Sequence, residues 1–152
     1  MSKCITMQGG VVNKFIGDAV MAIFGAPIED EQHASRAVEA GFQMIAAREK
    51  LNQDLKIQGF PAIHSGIGIH SGLVLSGNIG SIDRLEYTVI GDTVNQSSRI
   101  ESLCKRLKHD FLISSATYEL ITPELQKYCE YRRKATVKGK NKQIKIYAVN
   151  HN

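Results

Sequence analysis

Residues 88–101 read Thr88-Val89-Ile90-Gly91-Asp92-Thr93-Val94-Asn95-Gln96-Ser97-Ser98-Arg99-Ile100-Glu101. They hold the end of a strand, a turn and the start of a helix in one run. Thr88, Val89 and Ile90 close a β-prone stretch that begins at Leu85. Gly91-Asp92 interrupts it. Beyond, Ile100, Leu103, Cys104 and Leu107 recur at helical spacing, which predicts a helix over 93–107. Thr93 followed by Gln96 predicts a capping box at its start. Asn95 and Arg99 stand four apart, so they share a helix face to one side of the apolar stripe. An amide and a guanidinium on one exposed face can bind ribose and phosphate oxygens together.

Working outward, residues 11–24, VVNKFIGDAVMAIF, are two apolar runs broken by Gly17-Asp18. Gly-Asp between β-prone runs predicts a two-residue hairpin, with Gly17 supplying the positive φ. Asp18 then sits at an exposed tip, where a carboxylate is free to meet a hard cation. Magnesium takes oxygen ligands and keeps several waters, so one or two carboxylates plus substrate phosphates suffice for it. Lys14 lies on the strand leading into the tip. A helix is predicted over 30–55 from Ala34, Val38, Phe42 and Ile45, with Asp30 as its cap. Residues 64–76 predict one strand, or two joined by a bend at Ser71-Gly72, and 77–84 a loop. A short strand at 111–113, a short helix from 115 and a closing antiparallel pair at 128–137 and 143–149 complete the order. In the last connection Lys138 precedes Gly139 and Lys140, and a lysine at a strand end can approach a phosphate. This alternation predicts an α+β sandwich with helices packed on one sheet face.

The chain has 152 residues with 43% hydrophobic and 22% charged residues, the composition of one globular domain. No apolar run approaches the ~20 residues of a membrane span, and no signal peptide is read at the start. Cys4, Cys104 and Cys129 lack paired spacing, which fits a reducing compartment and no structural zinc. The net charge of +4 is concentrated late, from Arg132 to Lys145. Without interleaved aromatics this is a solvated strand edge rather than a nucleic-acid surface.

Together, KFIGDAVMAIFGAP, GIGIHSG, EYTVIGDTVNQSSRIES and VKGK occur in the order and spacing of the class III adenylate and guanylate cyclases. The chain resembles that family from about Gly9 to about Val149. FIGDAV stands where a diguanylate cyclase would carry a GGDEF-type hairpin. The resemblance implies a ferredoxin-like, palm-like α/β sandwich that converts ATP to 3′,5′-cyclic AMP and pyrophosphate with two divalent cations, Mg or Mn. It implies that Asp18 is one of two metal-binding aspartates. It further implies that Lys14 and Thr88 read the base, Asn95 orients the ribose, Arg99 stabilises the phosphate transition state and Lys138 holds the triphosphate. Lysine with threonine is the adenylate pairing, whereas guanylate cyclases typically carry Glu and Cys. A head-to-tail homodimer would share each site between two chains.

The family domain opens with a strand bearing the other metal aspartate, a glycine-containing phosphate loop and a helix pair. This sequence departs from that pattern, and residues 1–8 would fall at the tail of the helix pair. The expectation is a single partial cyclase domain over 1–152, lacking the first β-strand and following helices, roughly forty residues. Such a domain would be cytosolic, inactive alone, and joined to regulatory or membrane segments upstream. The alternative is a degenerate, non-catalytic module for dimerisation or nucleotide binding.

Overall fold

The computed structural model describes residues 1–81, 84–136 and 143–151. A short helix, α1 (Ser2–Met7), leads into the strands β1 (Val11–Ile16) and β2 (Ala19–Ile23). The long helix α2 (His33–Ile57) follows, then β3 (Ile67–Ile69), β4 (Leu75–Ser81), β5 (Arg84–Ile90) and the helix α3 (Asp92–Leu107). The chain closes with β6 (Phe111–Ser114), the short helices α4 (Ser115–Tyr118) and α5 (Pro123–Gln126), and the strands β7 (Cys129–Thr136) and β8 (Gln143–Val149).

Among the described residues the strands form three sheets. β1 and β2 pair antiparallel, β4 and β5 pair antiparallel, and four strands lie in the order β3-β6-β8-β7. β3 runs parallel to β6, and β8 runs antiparallel to both β6 and β7. The hairpin predicted at Gly17-Asp18 is present, with Gly17 at φ +62°. Within the loop predicted over 77–84, residues 77–81 belong to β4 and Arg84 opens β5, with which β4 pairs; residues 82 and 83 lie outside the described residues.

The core explains the packing. Along β6, Phe111 and Ile113 join one cluster with Ala34, Val38 and Ile45 of α2 and Val149 of β8. Leu112 joins a second cluster with Ile100 and Cys104 of α3 and Ile146 and Ala148 of β8. Successive strand residues point to opposite faces, so the four-stranded sheet carries α2 on one face and α3 on the other. The expectation of helices on one face is corrected by this alternation. β6 is apolar on both sides because both sides are covered.

Close approach is built into the second face. A Cβ on Gly68 would collide with the backbone of Glu101 in α3. Ser97 Oγ donates to the Gly68 carbonyl at 3.0 Å, which fixes the helix on β3. On the first face, buried Arg48 of α2 donates to Asp110 Oδ2 at 2.6 Å and to the Ser65 carbonyl at 2.9 Å. The cation is thereby paired and hydrogen-bonded, the condition under which an arginine can be buried.

Candidate functional site

Lys14 is half-buried on β1, and Asp18 is exposed at the hairpin tip. Thr88 lies on β5 and is 9% exposed. These elements meet through Asn13, which the sequence reading passed over. Asn13 Nδ2 donates to the Tyr87 carbonyl at 2.9 Å, and Thr88 Oγ1 donates to Asn13 Oδ1 at 3.1 Å. Thr88 is thus tied to the residue next to Lys14. A polar amide beside Lys14, between Val11-Val12 and Phe15-Ile16, was the available signal for Asn13.

Asn95 and Arg99 are both exposed on α3. Ile100 and Cys104 turn to the sheet, as the stripe predicted. The capping box did not form. Gly91 is the N-cap residue, Thr93 Oγ1 donates to the Leu73 carbonyl at 2.7 Å, and Gln96 Nε2 donates to Asp92 Oδ2 at 2.6 Å. A tertiary contact has taken the hydroxyl that local pairing would have used. Asp30 likewise stands before its helix. Its carboxylate accepts from Gln32 N at 2.9 Å and pairs with Arg36 at 2.8 Å, while Gln32 is the N-cap. Lys138 lies outside the described residues, as does Lys140.

Beside Thr93, at the end of β3, His70 Nδ1 is 2.8 Å from Ser114 Oγ. Ser114 Oγ and Ser71 Oγ both bond Thr117 Oγ1, at 3.2 and 3.1 Å. Burial holds the His70 pKa below its ordinary value of 6.5, and the Asp92 carboxylate partly offsets this. Burial also pushes the Cys104 thiol up to about 12, consistent with a packing role rather than a reactive one.

Among the described residues, no group of three or more His, Cys, Asp and Glu side chains could hold a metal ion. Asp18 fits a magnesium ion that takes its other ligands from phosphate and water. The two-cation set implied by the resemblance needs a further aspartate. No helix among the described residues is long and apolar enough to cross a membrane.

Residues 4–151 match the family described as the adenylate and guanylate cyclase catalytic domain. An adenylate cyclase of Anabaena cylindrica is 40% identical over 154 residues, covering 98% of this chain and 30% of the relative. The adenylyl cyclase CyaB from P. aeruginosa superposes with a TM-score of 0.84 at 33% identity, over 97% of this chain and 75% of that one. The guanylyl cyclase Cya2 superposes with a TM-score of 0.83 at 34% identity, over 97% and 73% respectively. The fold and these matches define a nucleotide cyclase catalytic domain of the ferredoxin-like type. The chain belongs to the class III adenylate and guanylate cyclases, a family of phosphorus–oxygen lyases. It spans less than a third of the length of the Anabaena relative.

Proposed function

We propose that this domain is of the adenylate type and converts ATP to 3′,5′-cyclic AMP and pyrophosphate. The observation that supports this is the tie between Thr88 and Asn13, the residue next to Lys14, which links the two strands that carry the residues read as base-selecting. Lysine can donate to a ring nitrogen of adenine, and the threonine oxygen can accept from its amino group. Asn95 orients the ribose. Arg99 places positive charge at the α-phosphate, where negative charge builds as the 3′-oxygen bonds to phosphorus and pyrophosphate leaves. Lys138 holds the triphosphate. Asp18 would hold a divalent cation, which supplies Lewis-acid charge at the phosphates when bound.

In this proposal a second copy of the chain, packed head to tail, brings its Lys14, Thr88, Asn95 and Arg99 to the Asp18 of its partner. Large apolar side chains in and beside the β1–β2 and β4–β5 hairpins support such an assembly: Phe15 is 67%, Leu73 97% and Leu75 67% exposed. β2 and β3 each pair on one side only among the described residues. A strand carrying the further metal aspartate would complete the sheet at these open edges. With one such carboxylate absent, the chain by itself would turn over little. The cytosol suits its free cysteines, and regulatory or membrane segments would belong to a larger protein.

The test is cyclic nucleotide formation by the full-length dimeric protein with Mn²⁺ and either ATP or GTP. Cyclic AMP as the main product is expected. Equal turnover of the two nucleotides would remove the adenylate assignment, and no turnover of either would favour a non-catalytic module.

A further inference from the structure

We infer that Asn13 sets the purine preference of this site by fixing the direction in which the Thr88 hydroxyl points its proton. The inference rests on the adenylate cyclase reading and adds a positioning residue to it.

Asn13 is the extra residue of a β-bulge. Val12 stands opposite Ala22 and Lys14 opposite Met21, so Asn13 has no partner on β2. A bulge re-aims a side chain, and here the amide reaches β5. Its nitrogen meets the Tyr87 carbonyl and its oxygen meets the Thr88 hydroxyl. The Tyr87 carbonyl can only accept, so the amide has one allowed orientation. Asn13 Oδ1 can also only accept, so the Thr88 hydroxyl must donate to it. That commits the single proton of Thr88.

A free threonine rotates its hydroxyl to donate or accept as a ligand requires. Held by Asn13, Thr88 offers an incoming base lone pairs alone. The 6-amino group of adenine donates and is matched. The 6-oxo group of guanine accepts and would meet another acceptor. Discrimination therefore resides in the Asn13–Thr88 pair, and its polarity begins at a backbone carbonyl that side-chain mutation cannot reverse. A purely structural role would be to pin the hairpin to β5, weakening both nucleotides equally when removed.

The experiment uses the full-length protein with 3′-deoxy-ATP and 3′-deoxy-GTP, which lack the attacking hydroxyl, titrated calorimetrically in Ca²⁺. The parent is expected to prefer the adenine nucleotide. Asn13→Ala should narrow that preference by about tenfold, the scale of one hydrogen bond, chiefly through tighter guanine binding. Asn13→Ser, too short to span Tyr87 and Thr88, should narrow the preference likewise. In a Thr88→Val background, Asn13→Ala should leave the ratio unchanged. An unchanged ratio in folded Asn13→Ala would overturn the inference, as would an unchanged ratio in Asn13→Ser should the alanine variant not fold. A parent that binds both nucleotides equally would also overturn it. A parent that binds neither would overturn the functional reading as well.

Discussion

In the proposed reading Lys14 and Thr88 discriminate between nucleotides, because a purine site chooses between bases by donor and acceptor pattern. Lys14→Glu with Thr88→Cys should move preference from ATP toward GTP, read as the ratio of kcat/KM for the two nucleotides. At Asn95 or Arg99, substitution by Ala should lower kcat far more than it changes KM, since the contact strengthens in the transition state. A loss confined to KM would mean that they hold ground-state substrate only. His70 allows a pH prediction. Its folded pKa lies below the ordinary 6.5 because burial disfavours the cation. Below 6.5 the unfolded chain therefore binds the proton more readily than the folded one. Stability should fall as pH drops through 6.5 and level off below the folded pKa. Urea midpoints at pH 7.5 and 5.5 should show this loss, and His70→Gln should reduce it. The shared exposed face of Asn95 and Arg99 was legible from their spacing of four on α3. Asn13 was not, since its importance depends on Tyr87 and Thr88 across a sheet boundary that no local pattern reveals.

At the scale of elements, legibility followed the strength of periodicity. The hairpin at Gly17-Asp18 and the helix α3 could be read because turn chemistry and apolar spacing agree with the fold. β4 could not be read to its end, because Gly77 and Gly80 punctuate it. Its order comes from pairing with β5, a contact outside any short window. Helix α5 is four residues long and shows only Pro123 near its start. The two-faced burial of β6 was likewise hidden, since three apolar residues and a serine do not say what covers each side. The seat of α3 on β3 gives an element-scale prediction. Gly68→Ala would drive a methyl into the Glu101 backbone, and backbone cannot yield as a side chain would. The expected cost is about 1–3 kcal/mol, seen as a fall in Tm of about 2–4 °C per kcal/mol. The same change should weaken nucleotide handling by shifting Asn95 and Arg99 with their helix. An unaltered Tm would mean that α3 slides on β3 without loss.

For the whole molecule, the decisive property is whether one site is divided between two chains. Mixing an Arg99→Ala chain with an Asp18→Ala chain should recover activity that neither has alone, because one of the two heterodimer sites would be intact. No recovery would place Asp18 and Arg99 in the same subunit's site. The last prediction concerns the 152-residue chain tested by itself. Asp18 is a single exposed carboxylate, and no larger metal-binding cluster occurs among the described residues. A triphosphate undergoing attack at its α-phosphate gathers negative charge, and charge stabilisation there is often worth several kcal/mol. One carboxylate in place of two would hold less metal charge at that point. The open edges of β2 and β3 add a second deficit, since unpaired strand edges invite association. Purified chain assayed with Mn²⁺ and ATP should therefore form little cyclic AMP and should self-associate in sedimentation. Turnover comparable to a complete cyclase, from a preparation free of host enzyme, would mean that Asp18 and the substrate phosphates hold the required metal charge unaided.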